Sequence, residues 1–287
     1  MNKEHFSVTK LDKTFGATVR GVKLSKLTEG EVKELYSLWL RHSLLIFPDQ
    51  HLSTIEQIEF AKLFGVMEFD LAPISNVRSD GSIRDPVDDD VVKSLRGNME
   101  WHHDSTYMPI QAKGSVFTAH QVPEEGGETG WADMTAAYKA LDPKMKDKIE
   151  GLSAYHSYVY SQAKYKHKPQ EESEFSGYGF DVDPHPFRPL VKTHPETGRK
   201  SLLIGRHAYG IPGMSKKDSK ALLDELNDFA CQGDRVYHHS WTPGDAVIWD
   251  NRNLMHQASP WDLNEARVMY HSRIQGDASS ESGLNYL

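Results

Sequence analysis

The sequence predicts a mainly β protein, a sandwich or barrel with helices packed on its outside. Three observations carry this. Seven short apolar or alternating runs read as strands, and turn signals separate many of them. Clear helical periodicity is confined to two stretches near the start and one after residue 214.

In chain order, the first helix is "TEGEVKELYSLWLRHS". Thr28 and Glu31 stand in capping-box spacing, and Val32, Leu35, Tyr36 and Trp39 fall on one face. "LLIF" at 44–47 reads as a strand. "STIEQIEFAKLFG" repeats the helical pattern, with Ser53 and Glu56 at its start and Gly65 after its last turn. Strands are expected at 114–122 (GSVFTAHQV), 189–194 (PLVKTH) and 201–205 (SLLIG). The third helix starts at Ser215 and carries a stripe of Leu222, Leu223, Leu226, Phe229 and Ala230. Runs at 235–239, 244–250 and 267–274 complete the strands, and "PEEGGETG", "HPETGRK", "TPGD" and "WDNRN" supply turns. Two polar stretches, 76–97 and 162–187, fit neither pattern. Loops of that length in a compact domain often serve as lids. No repeat or composition shift divides the 287 residues, so one domain over 1–287 is expected.

Composition narrows the function classes. The net charge is −8 and no block of lysine and arginine stands out, which argues against nucleic acid as a partner. A single cysteine, Cys231, excludes an internal disulfide and a zinc site built on several thiolates. No apolar run approaches about 18 residues, so no membrane span is expected. The first residues lack the apolar core of a signal peptide. A soluble, cytoplasmic protein is the expectation.

The chemistry centres on "EWHHD". In extended chain, His102 and Asp104 point to one side and His103 to the other. An H-x-D pair offers an imidazole nitrogen and a carboxylate oxygen to one ion. Two histidines and one carboxylate, with open positions left over, form the facial triad of non-haem Fe(II) oxygenases. His256, beyond the strand ending "VIWD" and a polar turn, is the best third ligand. Eleven residues later comes Arg267, on a strand face shared with Met269, His271 and Arg273. An arginine fork clamps a carboxylate in bidentate fashion. 2-Oxoglutarate fits such a site, its keto-acid end on the iron and its far carboxylate on the arginine.

The segments "LLIFPDQ", "ISNV", "GNMEWHHDSTY", "VPEEGGETGWADM", "AAYKALD", "PLVKTHPETGRKSLLIGRHA", "GDAVIWDNRNLMHQASPWD" and "RVMYHSRIQGD" together carry a resemblance over nearly the whole chain. The sequence resembles the taurine dioxygenase and 2,4-dichlorophenoxyacetate dioxygenase family of Fe(II)/2-oxoglutarate-dependent oxygenases, and the second branch more closely. The resemblance implies a double-stranded β-helix, or jelly roll, with flanking helices. It implies His102, Asp104 and His256 as iron ligands, Arg267 and Thr129 on the distal carboxylate of 2-oxoglutarate, and Trp249 beside it. It also implies that O₂ is consumed, that succinate and CO₂ are released, and that a substrate C–H is hydroxylated. Next to an ether oxygen or a sulfonate carbon, the alcohol then cleaves the bond. Many relatives carry an arginine fifteen residues after the distal histidine, on the substrate's anion. Here that position is His271, and Arg273 lies two further on. A small carboxylate or other anion held by His271 and Arg273 is the expectation, with Asn98 and His207 at family positions near substrate. Tyrosines 155, 158, 160 and 165 line the pocket or simply pack. Members of that family are often dimers or tetramers, so a homo-oligomer is compatible, with no interface marked in the sequence. Two rival readings stand beside the oxygenase: a zinc-type metal hydrolase on the same ligands, and a non-catalytic ligand-binding β-sandwich that would need no metal.

Overall fold

The computed structural model describes residues 6–167 and 177–286. Strands β1 (Ser7–Lys10) and β2 (Ala17–Arg20) form a hairpin ahead of helix α1 (Glu29–His42). Thr28 and Glu31 make the full capping box there, and Ser43 ends the helix in the left-handed conformation before β3 (Leu44–Phe47). Ser53 and Glu56 cap α2 (Thr54–Lys62) in the same way, and the long strand β4 (Met67–Ser75) follows. Helix α3 (Asp90–Gly97) precedes the His-His-Asp segment, then β5 (Gly114–Gln121) and β6 (Thr129–Asp133). Helices α4 (Met134–Ala140) and α5 (Pro143–Ile149), strand β7 (Ser153–His156) and helix α6 (Tyr158–Gln162) come next. Short strands β8 (Phe187–Pro189), β9 (Val191–Thr193), β10 (Lys200–Leu202) and β11 (Ala208–Tyr209) lead to α7 (Lys216–Ala230). Then come β12 (Val236–His239), β13 (Ala246–Asp250), β14 (Leu254–Ala258), β15 (Val268–Ile274) and helix α8 (Ala278–Glu281).

The major sheet runs β1-β2-β3-β13-β5-β15-β4, and a three-stranded sheet runs β12-β6-β14. Alternation decides what each face buries. Leu44, Ile46, Phe117, Val247, Trp249 and Met269 of the major sheet cluster with Trp131 and Leu254 of the smaller one. The residues between them, Leu45, Phe47, Val116, Ala246 and Ile248, pack instead on Leu35, Trp39, Phe60 and Ala61 of α1 and α2. That is the period of two expected of strands covered on both sides. On the smaller sheet, Ala132 and Met255 face a third cluster with α4 and α7. Two facing sheets with helices outside make a jelly roll, the double-stranded β-helix. Among the described residues no helix is long and apolar enough to cross a membrane.

Two expectations change. The stretch 76–97 is not all loop, because its last eight residues form α3. Asp89 caps that helix, and Val92 and Leu95 bury its inner face. The run expected at 189–194 is broken at Leu190, whose N–H bonds Leu152 and separates β8 from β9. Of the other expected lid, 162–187, residues 168–176 lie outside the described residues.

Candidate active site

His256 sits on β14 in step with Leu254, so it points between the two sheets, while Met255 points away. Strand β14 is the edge of its sheet, and the His-His-Asp segment docks on that free edge. His102 and His256 exchange both backbone hydrogen bonds, 3.0 and 2.8 Å. Their rings lie 4.2 Å apart. The chain then turns through Ser105, at φ 54°. One ligand atom each from His102, Asp104 and His256 lies within 4.8 Å of the others, and all three residues are buried. His103 goes the other way, its Nδ1–H donating to the Asn251 carbonyl at 2.8 Å.

The donor set suits a divalent cation. The Nδ1–H of His102 donates to the Glu100 carbonyl at 2.7 Å, which leaves the Nε2 lone pair free. Burial, reinforced by His256 and Arg206, holds the His102 imidazole well below its usual range. Burial likewise pushes His256 down to about 4, against the pull of Asp104. Burial alone would raise the Asp104 carboxyl, but the Arg273 guanidinium, with His256 and His271, holds it well below the usual carboxylate range. Two neutral imidazoles and a carboxylate therefore converge, the ligand set of non-haem Fe(II) centres.

These groups open into a cavity of about 600 Å³, walled by Phe69, Leu71, Val91, Leu95 and Phe117. Thr129, at the start of β6, lines it and accepts a hydrogen bond from Trp241 Nε1 at 3.0 Å, which leaves its own proton to donate. Arg267 also lines it and is 1% exposed. Its Nε donates to the Gly127 carbonyl at 3.0 Å, and Nη2 has no partner among the described residues. Gly126 and Gly127 both have positive φ, and a Cβ on Gly127 would press on the Arg267 side chain at 3.2 Å. Gly127 thus makes room for the arginine, and Gly126 for the Pro260 carbonyl. Burial pushes the Arg267 guanidinium down to about 10, so it stays charged at neutral pH. A buried cation with an unanswered donor calls for an anion. Trp249 is packed between the sheets, its ring 4.8 Å from that of His256, and it does not line the cavity.

The residues expected at the substrate divide. His271 lines the cavity 3.5 Å from Asp104 Oδ2 and stacks on Trp249. Arg273 donates to Asp104 Oδ1 at 2.8 Å and to Ser105 Oγ at 2.9 Å, and packs on Phe69. Its charge is therefore already engaged by the carboxylate of the triad. His207 lies edge-on to His102 and bonds Ser161 through Nδ1 at 2.9 Å. Asn98, at the end of α3, lines the cavity and accepts from the Ala258 N–H at 2.8 Å. Of the four tyrosines, Tyr158 lines the cavity, Tyr155 and Tyr160 are exposed, and Tyr165 donates to Glu100.

Sequence reasoning passed over Arg206. It lines the cavity, and its Nε and Nη1 are buried with no partner among the described residues. It sits in a turn with His207, so neighbouring side chains share one side, whereas strand alternation would have set them apart. Also missed were Ser115, which donates to Asp104 Oδ2 at 2.9 Å, and the half-buried Glu68, bonded by Ser105 and Tyr178. Neither stands in a motif.

The profile of the family described as "Taurine catabolism dioxygenase TauD, TfdA family" matches residues 7–273. The chain is 58% identical over 281 residues to the "(S)-phenoxypropionate/alpha-ketoglutarate-dioxygenase" of Sphingobium herbicidovorans, covering 97% of this chain and 98% of that protein. It is 52% identical to the protein of the same description from Delftia acidovorans, covering 96% of each. Among solved structures, "AAD-2 in complex with Mn(II) and N-oxalylglycine" superposes with a TM-score of 0.86 at 36% identity, over 94% of this chain and 97% of that one. The zinc hydrolase and the non-catalytic sandwich find no support in these similarities.

Proposed function

The chain belongs to the TauD, TfdA family and is an Fe(II)- and 2-oxoglutarate-dependent dioxygenase, and from that premise we propose that it oxidises aryloxyalkanoates, with (S)-2-aryloxypropanoates as its preferred class. The whole chain acts as one catalytic domain in this reading. His102, Asp104 and His256 hold the iron, which when bound supplies the coupling of 2-oxoglutarate decarboxylation to O₂ activation. Arg267 and Thr129 hold the distal carboxylate of 2-oxoglutarate. Trp249 backs the His256 ring from the core. Arg206 takes the substrate carboxylate, with Asn98 and His207 beside it. His271 and Arg273, which the family resemblance suggested for that anion, instead support Asp104.

One observation carries this. Beside three convergent ligands, the cavity is lined by four arginines: Arg273 and Arg84 pair with Asp104 and Asp89, whereas Arg206 and Arg267 have buried nitrogens without a partner and no carboxylate salt bridge among the described residues. Two unanswered cations suit two anions, a keto acid and a carboxylate substrate. A hydrolase needs neither. The apolar walls suit an aryl ring. The ring and the carboxylate would fix the carbon between them, and hydroxylation there gives a hemiketal that expels a phenol and leaves an α-keto acid. The (S) preference rests on the relatives at 58% and 52% identity.

The test is substrate-dependent succinate release with Fe(II), O₂ and 2-oxoglutarate, using (S)- and (R)-2-phenoxypropanoate, phenoxyacetate and alkyl sulfonates. Phenol and pyruvate should appear with succinate, fastest from the (S) acid. Faster turnover of the (R) acid or of a sulfonate would overturn the substrate assignment.

A further inference from the structure

We propose that Asn251 is the positioning residue of the Asp104 ligand: its buried side-chain amide clamps both backbone groups of Asp104 and so holds the carboxylate in place before any cation binds. The proposal rests on Asp104 being a metal ligand, as argued above.

Asn251 is wholly buried. Its Oδ1 accepts the Asp104 N–H at 2.8 Å. Its Nδ2 donates to the Asp104 carbonyl at 3.0 Å and to the Ala112 carbonyl at 2.8 Å. Its own backbone carbonyl accepts from His103 Nδ1, and its N–H donates to the Lys113 carbonyl at 3.0 Å. One residue thus joins the segment before the turn at Ser105 to the segment that enters β5.

The amide is used to capacity, with an acceptor and two donor hydrogens engaged at once. Aspartate lacks both donors and would set a buried charge against two carbonyls. An apolar side chain would leave one N–H and two carbonyls unanswered. The placement also explains the need. Asp104 lies just beyond the single bridge at His102, where no strand ladder holds the backbone. Asn251 belongs to the turn between β13 and β14, and β14 carries His256. That turn therefore fixes all three ligands: His256 through the strand, His102 through the bridge, and Asp104 through the clamp.

Asn253 is the matched control. It is equally buried in the same turn and bonds Ser43 and Thr135, away from the His-His-Asp segment. Co(II) titration followed by ligand-field absorption reads the site without turnover. Asn251→Ala should weaken Co(II) binding about 10- to 100-fold, the usual cost of losing a residue that orients a metal ligand. Asn253→Ala should lower the melting temperature and leave Co(II) affinity unchanged. Wild-type affinity in Asn251→Ala, or equal weakening in both variants, overturns the clamp. If Asn251→Ala does not fold, hydrogen exchange of the Asp104 amide in the metal-free wild-type protein decides. Slow exchange is expected, and exchange at the rate of exposed loops overturns it. Asp104→Ala separates the layers: Co(II) bound there as in wild type removes the ligand assignment itself, whereas loss there with full retention in Asn251→Ala removes only the clamp.

Discussion

An arginine at 1% exposure with an unanswered nitrogen is an unfavourable thing to fold around, and Arg267 is such a residue. Arg206, in the same cavity, is only partly buried as a residue, but its Nε and Nη1 are buried and without a partner among the described residues. The two side chains should separate kinetically. Arg267→Ala should raise KM for 2-oxoglutarate and leave KM for (S)-2-phenoxypropanoate nearly unchanged. Arg206→Ala should do the reverse. A hydrogen bond to a charged group contributes roughly 1.5–3 kcal/mol, or about 10- to 100-fold in KM. Steady-state assays varying one substrate at a time check this, and a KM for 2-oxoglutarate that moves with Arg206 would reject the assignment. Gly97 gives an independent handle. A methyl group there would run into Nη1 of Arg206, so Gly97→Ala should mimic part of the Arg206→Ala effect. Arg273 differs from both because Asp104 already answers its charge at 2.8 Å. Its removal should therefore weaken metal binding before it weakens substrate binding.

The turn between β13 and β14 rests on a buried ion network. Asp250 is wholly buried and pairs with Arg252 at 2.8 Å and with His194 at 2.9 Å. Burial would raise the Asp250 carboxyl, but Arg252 and His194 override it and hold the group far below the usual carboxylate range. Removing one partner of such a pair costs about 3–5 kcal/mol, because the other charge stays buried. Asp250→Asn should lose that much in urea unfolding at pH 7. The sign of the pH dependence follows from the depressed folded-state pKa. The contribution is complete above the unfolded value near 3.9 and is lost as pH falls from there toward the folded value. The gap between wild type and Asp250→Asn should therefore stay constant from pH 5 to 8 and narrow below about 4. At this scale the sequence was readable where local signals agree. Helices α1, α2 and α7 announce themselves through caps and apolar stripes. Strand β6 does not, because "TGWAD" is buried at every position and shows no alternation. Strand β14 is masked by the polar residues flanking "LMHQA", and α3 by its acidic start. The H-x-D pair and His256 are legible together through their context and the family resemblance, since H-x-D alone is a weak signal. The clamp at Asn251 and the free charge of Arg206 depend on which side a turn faces, which no periodicity encodes.

For the whole molecule, the two arginines that lack a carboxylate partner among the described residues line one cavity, while three apolar clusters form the core around it. Helices α1 and α2 cover one face of the major sheet, while β4, β5 and β15 turn their other face to the cavity. The free protein thus carries the cost of a buried carboxylate answered from one side by Arg273, and of two arginines with no carboxylate partner among the described residues. Ligands that answer those charges bind the folded state and not the unfolded chain, so they should stabilise the fold by mass action. A ligand at 100 times its Kd contributes about 2.7 kcal/mol. For a chain of this size that is a rise of several degrees in melting temperature. Co(II) alone should raise it, and 2-oxoglutarate added with Co(II) should raise it again. Because the keto acid is proposed to bridge the cation and Arg267, the second rise should vanish in Arg267→Ala while the first survives. Asp104→Ala should abolish both. Anaerobic thermal scans of the three proteins measure this directly. A keto-acid increment of equal size in Arg267→Ala would mean that the buried guanidinium answers some other anion, and the orientation of 2-oxoglutarate would have to be redrawn.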